Sequence, residues 1–350
     1  MATSTYRIIE GRYLRDILDQ PRALAATFDQ LKVPNELRSV GRNVRQGRFK
    51  RIVLTGMGAS FHGLRPLFFR LNAYGYTAVA VETSELVHSL PNWLEPESFV
   101  VAVSQSGESA EIVRLIEQNH GQAFLVGVTN AAESSLARGA HATLLTVAGE
   151  EFSVSCKTYV TALMSLHLLG EFLCGAAEDQ TRADLALASP SVAKYLEAWR
   201  RHIADIAASV GNVRDLFFLG RGESMAACGS GALIMKESVR MPAEALSGAA
   251  FRHGPLEIVN GETFAAIFAG ANSTRTLQAR LAEDIRHAGG RTGWIAEDPA
   301  PGAWNLPPAP AALRPILEIL PVQMMTQAFA ANAGIEAGRF GRIGKVTTTE

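Results

Sequence analysis

Long hydrophobic runs are missing from this sequence. No stretch reaches the roughly 18 uninterrupted apolar residues of a membrane-spanning helix, although hydrophobic residues make up 47% of the chain. A secretory leader is not expected either, because the opening MATSTYRIIEGRYLRD is charged where a leader would be apolar. Net charge is nearly absent: 33 Lys and Arg stand against 34 Asp and Glu, a formal charge of −1. Nothing global therefore recruits nucleic acid or an anionic membrane, and an anionic ligand would need a local site. Cysteine is scarce, and Cys156, Cys174 and Cys228 form an odd set without metal-ligand spacing. That argues for a reducing, cytoplasmic setting over a disulfide scaffold. With 19% charged residues the chain is neither a disordered tail nor a solvating arm. Its 350 residues suit two to three domains with a large core.

What is present is a change of period. From Tyr6 to Arg48, apolar positions such as Leu14, Ile17, Leu24, Phe28 and Leu31 recur near helical spacing, interrupted by Pro21 and Pro34. From Arg51 the pattern becomes short apolar runs: Arg51–Thr55, Thr77–Glu82, Phe99–Ser104, Ala123–Val128 and Ala142–Val147. These alternate with helical segments at Phe61–Tyr74 and Glu108–Asn119, the signature of a mostly parallel α/β sheet covered on both faces. A charge-rich stretch from Glu178 to Lys194 reads as a linker. A second round follows, with strands at Leu216–Leu219, Thr263–Ala269 and Gly290–Glu297, a turn and helix over Gly222–Arg240, and a helix at Leu277–Ala288. FKRIVLTGMGASFHG, from Phe49, and VRDLFFLGRGESMAA, from Val213, both run basic residue, apolar strand, G-x-G-x-S, helix. Two copies of one α/β unit are expected.

Two loops could carry chemistry. Gly56-Met57-Gly58-Ala59-Ser60 is a glycine turn between strand and helix, able to hold a phosphate on backbone N–H groups or to be a plain tight turn. It is not the dinucleotide fingerprint, because Phe61 stands where a third glycine belongs, nor a P-loop. Ser104-Gln105-Ser106-Gly107-Glu108-Ser109 follows the strand FVVAV and precedes a helix. Helix capping would explain one of its serines. Three hydroxyls, an amide and a glycine converging there suit a phosphate monoester.

SQSGESAEIV, GMGAS, VSCKTYVTAL, GALIMKESVRMPAEALSGAAFRHGPLEIV, LEILPVQMM and GKVTTTE, in that order, resemble the double sugar-isomerase (SIS) domain family. The family includes the isomerase half of glucosamine-6-phosphate synthase, stand-alone amino-sugar-phosphate deaminases and fructosamine-phosphate deglycases. The resemblance implies two flavodoxin-like parallel-sheet domains in tandem, a sugar 6-phosphate substrate, no cofactor, and a homodimer with active sites at the subunit interface. The expected layout is a helical lead-in over 1–48, a first domain over 49–177, a linker over 178–195, a second domain over 196–335 and a C-terminal tail over 336–350.

The resemblance also assigns roles. Ser60 falls beside the sugar, and Ser104, Gln105, Ser106 and Ser109 form the phosphate loop. Ser155 and Lys157 flank the sugar hydroxyls. Glu237 falls on the carboxylate that moves a proton between C1 and C2, His253 on the ring-opening histidine that serves a neighbouring subunit, and Lys345 on the tail lysine that can form an imine. From the residues alone, Ser230, Leu233 and Glu237 share a helix face, while Glu237 could instead pair with Arg240. The seven other histidines show no paired ligand spacing, so no metal is expected.

Three departures shape the expectation. Only about fifty residues precede the first unit, so no glutaminase domain is expected there. Ile234 stands one turn before Glu237, where the family's synthase has lysine, which leans toward a substituent larger or less charged than ammonia. No serine-rich loop follows Thr263–Ala269, so one sugar site per chain is expected. The favoured reading is a deaminase or deglycase acting on an amino- or amine-substituted sugar 6-phosphate. A plain aldose/ketose phosphate isomerase is the alternative. A sugar-phosphate sensor ranks below both, because the lead-in lacks a basic recognition helix.

Overall fold

The computed structural model describes residues 7–300, 302–342, 344–347 and 349. Tyr6 of the expected lead-in and Ile343, Thr348 and Glu350 of the expected tail lie outside them. The chain forms two compact units. One takes Gln20–Glu151, Ser155–Ser189 and Arg342–Glu350; the other takes the residues up to Asp19, Phe152–Val154 and Pro190–Gly341. The expected 178–195 linker is itself helical, as Glu178–Leu185 and all but the last residue of Ala188–Leu196.

In the first unit, β1 (Arg51–Gly56), β2 (Ala78–Glu82), β3 (Ser98–Val103), β4 (Phe124–Thr129) and β5 (Ala142–Leu145) lie parallel in the order β2-β1-β3-β4-β5. Every residue of β3 is buried, as expected of a central parallel strand with helices on both faces. Val53, Val100, Ala102 and Leu125 pack with Leu86, Ile112, Leu115 and Leu136, from helices Thr83–Ser89, Ala110–Asn119 and Ser135–Gly139. Helix Lys157–Leu173 is buried on nearly every side, packing against helices Gln20–Gln30 and Arg65–Ala73. A helix apolar all round belongs inside a domain.

The second unit repeats the winding. β6 (Asp215–Gly220), β7 (Ala243–Ser247), β8 (Thr263–Phe268), β9 (Arg291–Glu297) and β10 (Asn305–Leu306) are parallel in the order β7-β6-β8-β9-β10. The two similar sequence stretches supply β1 and β6 with their following turns, and two tandem α/β domains of one topology result. Phe217, Leu219, Ala265 and Ile267 meet Phe251, Leu281 and Ile285 in the core. The Phe217 and Phe251 rings meet edge to face at 5.0 Å.

Local differences have local causes. The helix expected over Phe61–Tyr74 is two, Gly58–Gly63 and Arg65–Ala73. Pro66, in the first turn of the second, has no N–H to continue the first. Pro21 and Pro34 likewise start helices, Gln20–Gln30 and Asn35–Arg45, after a first helix Arg12–Leu18.

Candidate functional site

In a parallel sheet of this order, ligands bind outside the carboxyl ends of the strands, where the winding reverses between β1 and β3. Those ends are Gly56-Met57-Gly58-Ala59-Ser60 and the loop Ser104–Ser109. A Cβ at Gly56 would stand 3.0 Å from the Val103 carbonyl oxygen, so a side chain there would press the two strand ends apart. Gly107 has φ +64°, and a Cβ there would fall 2.2 Å from Ser134 Oγ.

The serine loop is held from its carbonyl side. Gln105 O accepts from Asn130 N at 3.1 Å and from Thr129 Oγ1 at 3.3 Å, and Gly107 O accepts from Leu136 N at 3.1 Å. Ser104 Oγ accepts from Gly107 N at 3.1 Å and Ser106 Oγ from Glu108 N at 3.2 Å. Each hydroxyl therefore keeps its own proton to donate. Ser109 is the N-cap of helix Ala110–Asn119, but its side chain makes no capping bond, so that hydroxyl is also not spent on the helix. The loop's one carboxylate, Glu108, accepts from Ser135 N at 2.7 Å and Ser135 Oγ at 2.8 Å. The backbone bond from Ser135, then its hydroxyl, hold the Glu108 carboxyl below the usual range. Neutral donors and a helix N-terminus make a setting for a phosphate that needs no net positive charge.

Ser60, Gln105 and Ser155 line one cleft, with Thr129, Asn130 and Thr158 beside them. Ser155 Oγ lies 3.1 Å from Thr158 Oγ1. Lys157, the first residue of helix Lys157–Leu173, is buried and donates through Nζ to Glu150 O at 2.6 Å. Lys345 donates to Glu151 O and, at 3.1 Å, to Glu151 Oε2. Two residues later, Thr347 O accepts from Ala110 N at 3.2 Å, at the start of the helix behind the serine loop. One unit thus gathers the serines, Gln105 and both lysines.

Glu237 and His253 belong to the other unit. Glu237 is half-buried near the end of helix Met225–Val239, on the face that carries buried Ser230 and half-buried Leu233. Arg240, which ends that helix with φ +58°, donates to Arg339 O at 3.4 Å. His253 is exposed after helix Gly248–Arg252, with Gly254 at φ +141° behind it. Ile234 is buried at 1% exposure. Among the described residues no cluster of His, Cys, Asp and Glu could hold a metal ion, and no helix is long and apolar enough to cross a membrane.

Sequence reasoning missed Glu151. Its carboxylate is 1% exposed and accepts from Cys156 N at 2.9 Å, Thr158 N at 3.0 Å, Thr158 Oγ1 at 2.7 Å and Lys345. An acidic residue ahead of a helix start is a capping signal. Here it sits just upstream of Ser155 and Lys157. Glu151→Ala strands two backbone N–H groups and takes the carboxylate away from the Lys345 ammonium, which keeps only the backbone carbonyl. A loss of about 3 kcal/mol in denaturant unfolding is expected, with faster hydrogen exchange over 344–347. Lys345→Ala leaves three of the Glu151 bonds in place and should cost under about 1 kcal/mol.

Residues 48–171 match the family model of the SIS domain. A glutamine–fructose-6-phosphate aminotransferase (isomerizing) of Pyrococcus horikoshii is 30% identical over 96% of this chain, which spans 57% of that enzyme's length. The C-terminal domain of glucosamine-fructose-6-phosphate aminotransferase from Francisella tularensis superposes with a TM-score of 0.82 at 20% identity, covering 95% of this chain and 98% of that one. A glucosamine-6-phosphate deaminase from Thermotoga maritima superposes at 0.78 and 18% identity, covering 97% and 100%. At such identities the superpositions establish the fold.

Proposed function

The chain belongs to the SIS-domain family, with the phosphosugar-isomerase type of fold, and from that premise we propose that it is an enzyme releasing an amine from an amino- or amine-substituted sugar 6-phosphate. The observation that carries the reading is the serine loop at the β1/β3 switch point, whose hydroxyls keep protons to donate beside a helix N-terminus. Ser104, Gln105, Ser106 and Ser109 hold the phosphate; Ser60, Ser155 and Lys157 address the sugar end.

In this reading His253 assists ring opening of a substrate bound to the neighbouring subunit of a homodimer, and Glu237 moves a proton between C2 and C1 of the open chain. For a 2-amino sugar, C2 loses its proton and C1 gains one. The resulting imine is hydrolysed to the ketose phosphate, water supplying the oxygen and ammonia leaving. For a ketosamine the proton moves from C1 to C2, and water releases the amine from C1. Lys345 forms a transient imine with the open-chain ketose. Two similar proteins, an aminotransferase and a deaminase of hexose 6-phosphates, support this substrate class.

A plain aldose/ketose isomerase is favoured by one observation, the engagement of Lys345 by Glu151, because an ion-paired ammonium is not a nucleophile. The test is ammonia or amine release from glucosamine 6-phosphate and a fructosamine 6-phosphate, run beside C2-proton exchange of glucose 6-phosphate in deuterated water and borohydride trapping at Lys345. Release with trapping is the expected result. Exchange without release or trapping establishes the second reading, and neither activity overturns both.

A further inference from the structure

The second unit has its own crevice at the carboxyl ends of its strands. The residues after β8 and the end of β9 border a crevice partly open to solvent, lined by Gly270, Asn272, Arg275, Glu297, Arg314 and Glu318. β8 and β9 occupy in this sheet the places of β3 and β4 in the first, whose ends border the Ser60 and Gln105 cleft. The cavity thus lies at the carboxyl ends of the strands, beside rather than at the β6/β8 position where this sheet's winding reverses. It is not a copy of the first site, because no serine-rich loop follows β8.

Its chemistry has two ends. At the mouth are the guanidinium groups of Arg275 and Arg314 and the start of helix Asn272–His287, whose N-cap Ala271 supplies no side-chain cap. Among the described residues neither arginine has a carboxylate within ion-pair distance. Arginine forks and a helix N-terminus together suit an anion. At the inner end is Glu318, 1% exposed. Ser224 Oγ donates to its Oε1 at 2.8 Å, while Oε2 has no hydrogen-bond partner among the described residues. A buried polar atom left unpaired costs about 1–3 kcal/mol, so its persistence beside a cavity points to a ligand. Burial raises the Glu318 carboxyl to about 8, so near neutral pH it is protonated and both donates and accepts, as a hydroxyl partner requires.

We propose that this crevice is a second binding site, for a small anion bearing hydroxyl groups, a polyol phosphate or polyol carboxylate. Arg275, Arg314 and the helix start hold the anionic group, and Glu318 holds a hydroxyl. This inference is independent of the proposed activity, since none of these residues is given a part in it.

The experiment titrates the full chain with sorbitol 6-phosphate, gluconate, sorbitol and inorganic phosphate, reading affinity by calorimetry and location by hydrogen exchange. One or both bifunctional probes should bind at least ten-fold tighter than sorbitol or phosphate and protect residues 270–275 and 314–318; which of the two does so identifies the anionic group. Arg275→Ala with Arg314→Ala should weaken that binding at least ten-fold without lowering Tm. Glu318→Met should leave the better probe no tighter than its anionic or polyol half. Protection confined to residues 104–110, binding unchanged in the arginine variant, or no binding by either probe overturns the proposal. Because Arg275 is exposed, its variant keeps the test valid even if the Glu318 variant does not fold.

Discussion

Glu237→Gln is expected to lower kcat for amine release by about 10²–10⁴-fold, the range in which a positioned general base contributes. The amide keeps the size of the carboxylate and its capacity for hydrogen bonds, but it cannot take a carbon-bound proton. The side chain is half-buried on helix Met225–Val239, so an isosteric change should alter stability by no more than about 0.5 kcal/mol. Substrate binding should hold, because the proposed phosphate contacts are Ser104, Gln105, Ser106 and Ser109. The expected signature is a collapse of kcat with KM and Tm near wild type, and C2-proton exchange lost in parallel with amine release. A variant that keeps turnover within a few-fold of wild type removes Glu237 from the shuttle. One that loses activity together with Tm assigns it a structural part instead.

Much of the fold was legible because the strands that decide it are extreme. β3 and β8 are buried at every residue and read as unbroken apolar runs, and the shared G-x-G-x-S openings announced the repeat. β7 was not legible. Its sequence, Ala243–Ser247 or AEALS, is made of residues that favour helix, and it is a strand because β6 pairs with it in register, Leu216 opposite Ala243 through Gly220 opposite Ser247. β10, two residues long, carries too little pattern to show. Helix Arg314–Ala333 contains Pro321, a helix-breaking signal by local rules, and nearly complete burial overrides it.

The site was legible where one loop carries all the chemistry. Ser104, Ser106 and Ser109 fall in one short loop, and their density of hydroxyls exceeds what capping needs. Glu151 and Glu318 were not, because the meaning of each comes from distant chain. Glu151 gains its weight from Lys345, which is 194 residues away, and Glu318 from Ser224, which is 94 away. Ile234, expected to shape specificity, is instead buried, so a direct contact with substrate is not its way of acting on the reaction.

Glu318→Gln is expected to stabilise the protein at alkaline pH and to flatten its pH–stability curve. Burial is the first cause of the raised carboxyl, and the Ser224 hydroxyl and the Arg314 guanidinium oppose it while Glu223 adds to it. The neighbouring Cys228 thiol is also pushed up, first by its own burial and then by Glu318. The sign follows from proton counting. Between the ordinary carboxyl value of 4.5 and the folded value of about 8, the unfolded chain has released this proton and the folded chain still holds it. Unfolding is therefore favoured more strongly as pH rises through that window. Below 4.5 the group is protonated in both states and costs nothing. At about 1.4 kcal/mol for each pH unit, the loss across the window amounts to roughly 4–5 kcal/mol. Glutamine at this position has no proton to lose and can still accept from Ser224. Urea denaturation of both proteins from pH 5 to pH 9 should give curves that meet near pH 5 and diverge upward, the variant becoming the more stable. Parallel curves would mean that the Glu318 carboxylate is solvated or paired in the folded protein, and would remove the neutral donor on which hydroxyl recognition at the second crevice depends.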